Sequence, residues 1–211
     1  MHFFKKIILA VSMMALQPLY GHLKPPLAEK DLEEPTTRSL FPPSITLLTP
    51  KATYTLQTTG AAVHNKLLVK IYTLVHYIEE PIVGTIEEVL NQVFNDNKPK
   101  QLSFRWLRSL ELRQVRDSYW EAFDKVLNDD DQYALQNYID QFVGLYDQDA
   151  QKEATHEVRW LPGGLVELWI QGKKKGAVQN IAFAKALWSV WFGPKSIVDR
   201  EKLLEKMIKR A

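Results

Sequence analysis

Histidines, tyrosines and a scatter of lysines and arginines carry whatever chemistry this sequence can do, because its 211 residues include no cysteine. Without thiols there is no disulfide framework, no thiolate metal site and no cysteine nucleophile. None of the five histidines pairs with another at metal-ligand spacing. His64 and His76 are 12 residues apart, or about 40 Å on one extended strand at ~3.3 Å per residue, so a shared metal would need a hairpin between them. Asp129-Asp130-Asp131 lacks the alternating oxygens and the glycine of an EF-hand loop and reads as a helix–helix loop ending in an N-cap. Lys173-Lys174-Lys175 lies between glycines and reads as a solvated hairpin tip. GxSxG, HExxH, Walker and GxGxxG patterns do not occur. Motifs alone define no catalytic constellation, and neither metal nor cofactor is expected.

The elements that must place these side chains are easier to read. Leu67 to Ile78 is rich in branched and aromatic residues and predicts one long strand. Leu67, Val69, Ile71, Thr73, Val75 and Tyr77 then share a core face, while Leu68, Lys70, Tyr72, Leu74 and His76 share the other. That second face mixes apolar and titratable groups, as a strand bordering a polar-tipped cavity does. Before it, Tyr54 to Thr58 alternates and Gly60-Ala61-Ala62 predicts a bend.

Pro81 and Gly84 break the strand, and Thr85 caps a short helix through Phe94. Gln101 to Leu110 alternates again, with Arg105 opposite in facing to Phe104 and Trp106. Helical spacing follows from Glu111 to Leu127 and from about Asp131 to Tyr146. Three strands are expected between Glu153 and Gln179, divided at Pro162-Gly163-Gly164 and at Gly172 to Gly176. Ile181 to Phe192 (IAFAKALWSVWF) has only Lys185 and Ser189 polar, so it predicts a helix buried on most sides. Plain core is its ordinary reading, and an apolar cavity lined by Phe183, Leu187 and Trp188 is the other. Gly193-Pro194 stops it, and an amphipathic helix from Ser196 to Lys209 is expected to end the chain. Hairpins followed by successive helices make the fold class α+β.

Hydrophobic residues at 45% and charged residues at 25% rule out wholesale disorder. The formal charge is +2, but setting aside Lys5 and Lys6 leaves 25 basic and 25 acidic residues. That balance argues against a nucleic-acid binder. Residues 1–21 have a basic start, a short apolar run from Ile7 to Leu16 and a small-residue exit at Gly21, which reads as a secretory signal peptide cleaved near residue 21. An uncleaved anchor is the other reading. The apolar run is too short for a stable membrane span. With no Asn-x-Ser/Thr sequon, a bacterial exported or periplasmic location is expected. Residues 22–50 hold six of the eleven prolines plus several charges and read as a flexible arm, leaving 51–211 as the folded domain.

Gly60-Ala61-Ala62-Val63-His64-Asn65-Lys66, followed by Lys70-Ile71-Tyr72 and Tyr77-Ile78, resembles the signature strand region of the chalcone isomerase-like family. The resemblance continues through Leu102, Phe104 and Leu107-Arg108, then Leu161-Pro162-Gly163-Gly164 and Gly172. It ends with Phe183, Ala186-Leu187, Trp191-Phe192-Gly193 and Lys202-Leu203-Leu204. It implies an open-faced β-sandwich: a large antiparallel sheet covered on one side by a layer of helices, with an apolar cleft between. Plant members cyclise chalcones, and non-catalytic relatives bind fatty acids. Both hold an anionic oxygen with an Arg on the signature strand, and the lipid binders add a Tyr on the next. In this sequence the Arg position is His64 and the Tyr position is Tyr72. The family's other active-site Tyr and Asn fall near Gln114 and Glu121.

His is mostly neutral near pH 7 and lacks the bidentate fork of Arg. On one unbroken strand His64 and Tyr72 would also stand about 26 Å apart at ~3.3 Å per residue, too far to share a carboxylate, unless the chain turns at Asn65-Lys66. Arg105, Arg108 and Lys70 are the candidate replacement cations. The leading reading is an exported, non-catalytic protein binding a fatty acid or similar amphipathic molecule through Tyr72, His64, Lys70, Arg105, Arg108, Phe183, Leu187 and Trp188. A scaffold with a closed cleft comes second and an isomerase of the chalcone type third.

Overall fold

Inside the segment expected to be a flexible arm, Ser44–Leu48 pairs with Thr53–Gln57 as a strand of the main sheet. The computed structural model describes residues 30–209; the expected signal peptide lies outside them. Two short strands, β1 (Leu32–Glu33) and β2 (Leu40–Phe41), precede seven longer ones: β3 (Ser44–Leu48), β4 (Thr53–Lys66), β5 (Val69–Ile78), β6 (Lys100–Trp106), β7 (Thr155–Leu161), β8 (Leu165–Ile170) and β9 (Lys173–Gln179). The seven lie in chain order in one antiparallel sheet. The helices of the described residues are α1 (Ile86–Asn95), α2 (Leu112–Val126), α3 (Asp129–Gly144), α4 (Ile181–Phe192) and α5 (Arg200–Leu203). The main core lies between the inner sheet face (Leu74, Leu102, Phe104, Val158, Leu168) and the helices (Val115, Phe123, Phe142, Phe183, Leu187).

The helices begin where their first residues can satisfy free backbone N–H groups. Thr85 and Glu88 form a capping box at α1. Asn128, rather than the aspartates, caps α3, and all three aspartates sit in its first turn against the positive helix end. The segment after Pro194 is helical only over α5, so the long C-terminal helix expected from its spacing does not form. Instead, backbone bonds tie Lys206 N–H to the Thr59 carbonyl and Lys209 N–H to that of Gly84.

The outer sheet face explains why the arm is not free. Phe41 and Leu47 bury against Leu56, Val75, Tyr77 and Leu161. The Thr37 and Thr73 hydroxyls are 2.9 Å apart, and Tyr77 donates to the Pro42 carbonyl at 3.0 Å. Apolar residues spaced among the prolines therefore cover the sheet. Similarly, Lys173-Lys174-Lys175 begins β9, and the reversal before it falls at Gln171-Gly172.

The expected bend at Gly60 does not form either. β4 runs through it, and Thr59 is an extra residue between the Thr58–Tyr77 and Gly60–His76 pairs. This bulge presents the Thr59 hydroxyl to the Leu203 carbonyl at 2.6 Å. A Cβ on Gly60 would stand 2.1 Å from the Lys202 carbonyl oxygen, so glycine marks a close approach of two backbones. Gly60→Ala should cost about 1–3 kcal/mol, read as a lower urea midpoint. Gly144→Ala, facing open space, should be neutral or stabilising by about 0.5–1 kcal/mol; equal effects at the two positions would contradict the close-approach account.

Candidate functional site

β4 turns into β5 over only two residues, Leu67 and Leu68, both with positive φ, 50° and 67°. Such a turn sets two strands side by side, so His64 lies directly across from Tyr72 rather than far along one strand. Their rings stack at 4.9 Å. A second bulge, at Ile71, lies between the His64–Tyr72 and Asn65–Lys70 pairs. One extra residue reverses the facing of what precedes it. Ile71 therefore joins the inner face, and Lys70 leaves it to donate to the Thr36 carbonyl at 2.8 Å.

Above this pair, between the sheet and helices α2 and α4, lies a cavity of about 520 Å³, within the usual ~300–1,000 Å³ range of ligand sites. Six aromatic side chains close a ring around its buried part. Tyr72 packs on Trp106 (5.4 Å), Trp106 on His156 (5.3 Å) and His156 on Tyr146 (5.8 Å). Tyr146 packs on Tyr119 (5.1 Å) and Tyr119 on Trp191 (6.4 Å), whose indole N–H donates to the Tyr72 hydroxyl at 3.2 Å. The mouth is polar, with Asn65, Lys66, Gln114, Asp117, Glu121 and Lys125 exposed around it.

Several polar atoms in the ring have no protein partner among the described residues. The Trp106 Nε1 and both His156 ring nitrogens are buried without one. Tyr72 accepts from Trp191, which leaves its own proton to donate. The Tyr119 and Tyr146 hydroxyls are 2.6 Å apart; whichever donates, the other keeps a proton. Burial raises the pKa of all three phenols, so they remain neutral donors. His156 is pushed down to about 4 by burial and, secondarily, by Lys175.

His64 Nδ1 faces the Ile197 carbonyl at 3.2 Å and must therefore carry the proton, leaving Nε2 as an acceptor in the neutral ring. Burial holds its pKa below the ordinary value. The Ile197 carbonyl opposes this, and Lys66 and Lys125 reinforce it. The site thus presents neutral donors in depth and charge only at the mouth.

Of the sequence candidates, His64 and Tyr72 meet here. Arg105 sits on the outer face, 5.9 Å from the Phe41 ring and 3.8 Å from Glu153. Arg108 is an exposed loop residue outside the cavity lining. Phe183 packs on Phe123 and Phe142, Leu187 is fully buried, and Trp188 packs edge-on to Trp160 at 5.2 Å. Those three are core. Only Val190 and Trp191 of α4 reach the cavity. The sequence reading did not select Trp106, Tyr119, Tyr146, His156 or Trp191 as site residues. The available signal was chemical: an indole N–H or phenol on a core stripe needs a polar partner.

A chalcone isomerase-like family model matches residues 44–208. The chain belongs to the chalcone isomerase-like family. Among solved structures, a fatty-acid binding protein of Arabidopsis thaliana shares the fold, with a TM-score of 0.69 over 84% of this chain and 97% of its own, at 16% identity. No curated protein matches the chain in sequence. In this chalcone isomerase-like chain the antiparallel sheet is covered by helices on one face and by the arm on the other.

The buried histidines set an acid limit on stability. His76, held by the Thr59 hydroxyl at 2.9 Å and packed on Phe192, is pushed down to about 3 by burial first and Lys100 second. With His156 at about 4, both take up protons more readily unfolded than folded. Their contribution is complete above the unfolded pKa of ~6.5 and is lost as pH falls toward 4 and then 3, by roughly 1 kcal/mol per pH unit for each. Urea midpoints measured from pH 7 to 4.5 should fall accordingly, and His156→Phe should remove its share of the slope; an unchanged slope in that variant would contradict this assignment.

Proposed function

We propose that this chalcone isomerase-like protein binds a fatty acid or a similar amphipathic molecule in the cavity between the sheet and α2 and α4. The observation that carries this reading is the aromatic ring with its unpartnered donors. A buried polar group without a partner costs about 1–3 kcal/mol, and Trp106 and His156 both bear that cost in the buried part of the cavity. A carboxylate or carbonyl oxygen placed there gains hydrogen bonds from Trp106, Tyr72 and His156. Val190, Ile197, Leu110 and Phe104 supply apolar wall for a chain. The fold shared with the Arabidopsis fatty-acid binding protein supports the same reading. The open cavity favours binding over a scaffold with a closed cleft. Binding, rather than base-driven turnover, is favoured by phenols that burial keeps protonated.

His64 gives carboxylate binding a pH dependence. Neutral when the cavity holds no anion, it is drawn toward protonation by a carboxylate at its Nε2, so binding takes up a proton and strengthens as pH falls. Calorimetric titration of palmitate, with an alkyl sulfonate as a ligand that stays ionised, tests these points. Ala122→Trp, which fills the cavity, should weaken both at least about tenfold. Tyr72→Phe should cost about three- to tenfold, the worth of one hydrogen bond. His64→Arg should tighten sulfonate binding and flatten its pH dependence. Wild-type protein that takes up neither ligand, or Ala122→Trp protein that binds them undiminished, overturns the proposal.

A further inference from the structure

The β4–β5 turn is built from residues that suit neither the turn nor water. Leu67 and Leu68 adopt left-handed φ of 50° and 67°, where Asn-Gly is the favoured pair and a leucine side chain is strained. They are also 91% and 101% exposed, and Val69 beside them is 41% exposed. A sequence selected for folding alone gains nothing from this choice, so the strain and exposure point to a contact outside the fold.

The charges around the tip indicate what that contact is. Lys66 and Lys70 flank the apolar triplet in the hairpin, and Lys125 and Asn65 stand at the adjoining cavity mouth. The acidic residues of the mouth are already paired, Glu121 with Lys66 at 2.5 Å and Asp117 with Arg113 at 3.5 Å. Lys70 and Lys125 have no carboxylate partner among the described residues. Two exposed leucines beside the uncompensated Lys70 and Lys125 match a bilayer surface: acyl chains accept the leucines while anionic head groups attract the lysines.

We propose that the Leu67-Leu68 tip inserts into the surface of a membrane containing anionic lipid, holding the cavity mouth against the bilayer. Because His64, Asn65 and Lys66 line the cavity within four residues of Leu68, docking would let an amphipathic ligand pass between bilayer and cavity with little exposure to water. That consequence rests on the binding reading above; the docking itself does not.

Flotation of the full chain with phosphatidylglycerol–phosphatidylcholine vesicles tests it. Binding should require the anionic lipid, weaken with salt and fall about tenfold or more in Leu67→Asn/Leu68→Gly. That double variant installs the preferred turn pair, so its thermal midpoint should hold or rise, which separates lost docking from lost folding. Because the chain has no cysteine, Leu68→Cys carries a single environment-sensitive dye, whose emission should shift to the blue on vesicles. Wild-type protein that stays unbound overturns the proposal. So does a double variant that floats equally well, as binding through the N-terminal residues would produce, or a dye shift caused by self-association without lipid. Palmitate uptake in vesicle-free buffer separates failure of docking from failure of the cavity reading.

Discussion

His64 and Tyr72 come from opposite legs of a hairpin, and their cross-strand contact organises the cavity. Stacking at 4.9 Å fixes both rings on the inner sheet face. From there Tyr72 can accept a hydrogen bond from the Trp191 indole N–H and pack on Trp106, tying α4 to the sheet around an open space rather than closing it. Shifting β5 by one residue would turn Tyr72 toward the arm and Thr73 toward the helices. Register is held by the bulges at Thr59 and Ile71, and the first is anchored to the C-terminal segment through Leu203 and Lys206.

The two faces of the sheet divide the remaining work. Outside, the arm packs Phe41 and Leu47 over a small core and takes up Lys70 and Arg105, which would otherwise have been candidate cations for the site. Inside, polar groups are buried with few charges, and burial keeps His156 and the phenols neutral. The cavity therefore holds an anion, if it holds one, mainly with neutral donors and with a histidine whose charge depends on what it binds. A chain with Arg at position 64 would carry that charge permanently.

Period and punctuation made much of this legible. Leu102, Phe104 and Trp106 alternate as a half-buried strand does, and α4 was readable to its ends from the apolar run Ile181 to Phe192 and the Gly193-Pro194 stop, while its Asn180 cap emerged only in the structure. The motif order from Gly60 to Leu204 was enough to identify the fold. Leu67-Leu68 hid the hairpin because a type I′ turn is recognised by Asn-Gly, not by leucines. The Ile71 bulge has no sequence signature, yet it decides which way Lys70 points. Ring closure by Tyr119, Tyr146 and His156 depends on tertiary packing of α2, α3 and β7, which no local pattern encodes.

The six indole N–H resonances offer the most direct test, since the tryptophans lie both on and off the proposed ring. In ¹H–¹⁵N spectra of labelled protein, added palmitate should shift the Trp106 indole downfield as it gains an acceptor and should perturb Trp191, which already donates to Tyr72. Trp188, equally buried and also without a partner but packed against Trp160 away from the cavity, should stay in place. Movement of Trp188 alone, or of none of the three at saturating ligand, would contradict the account.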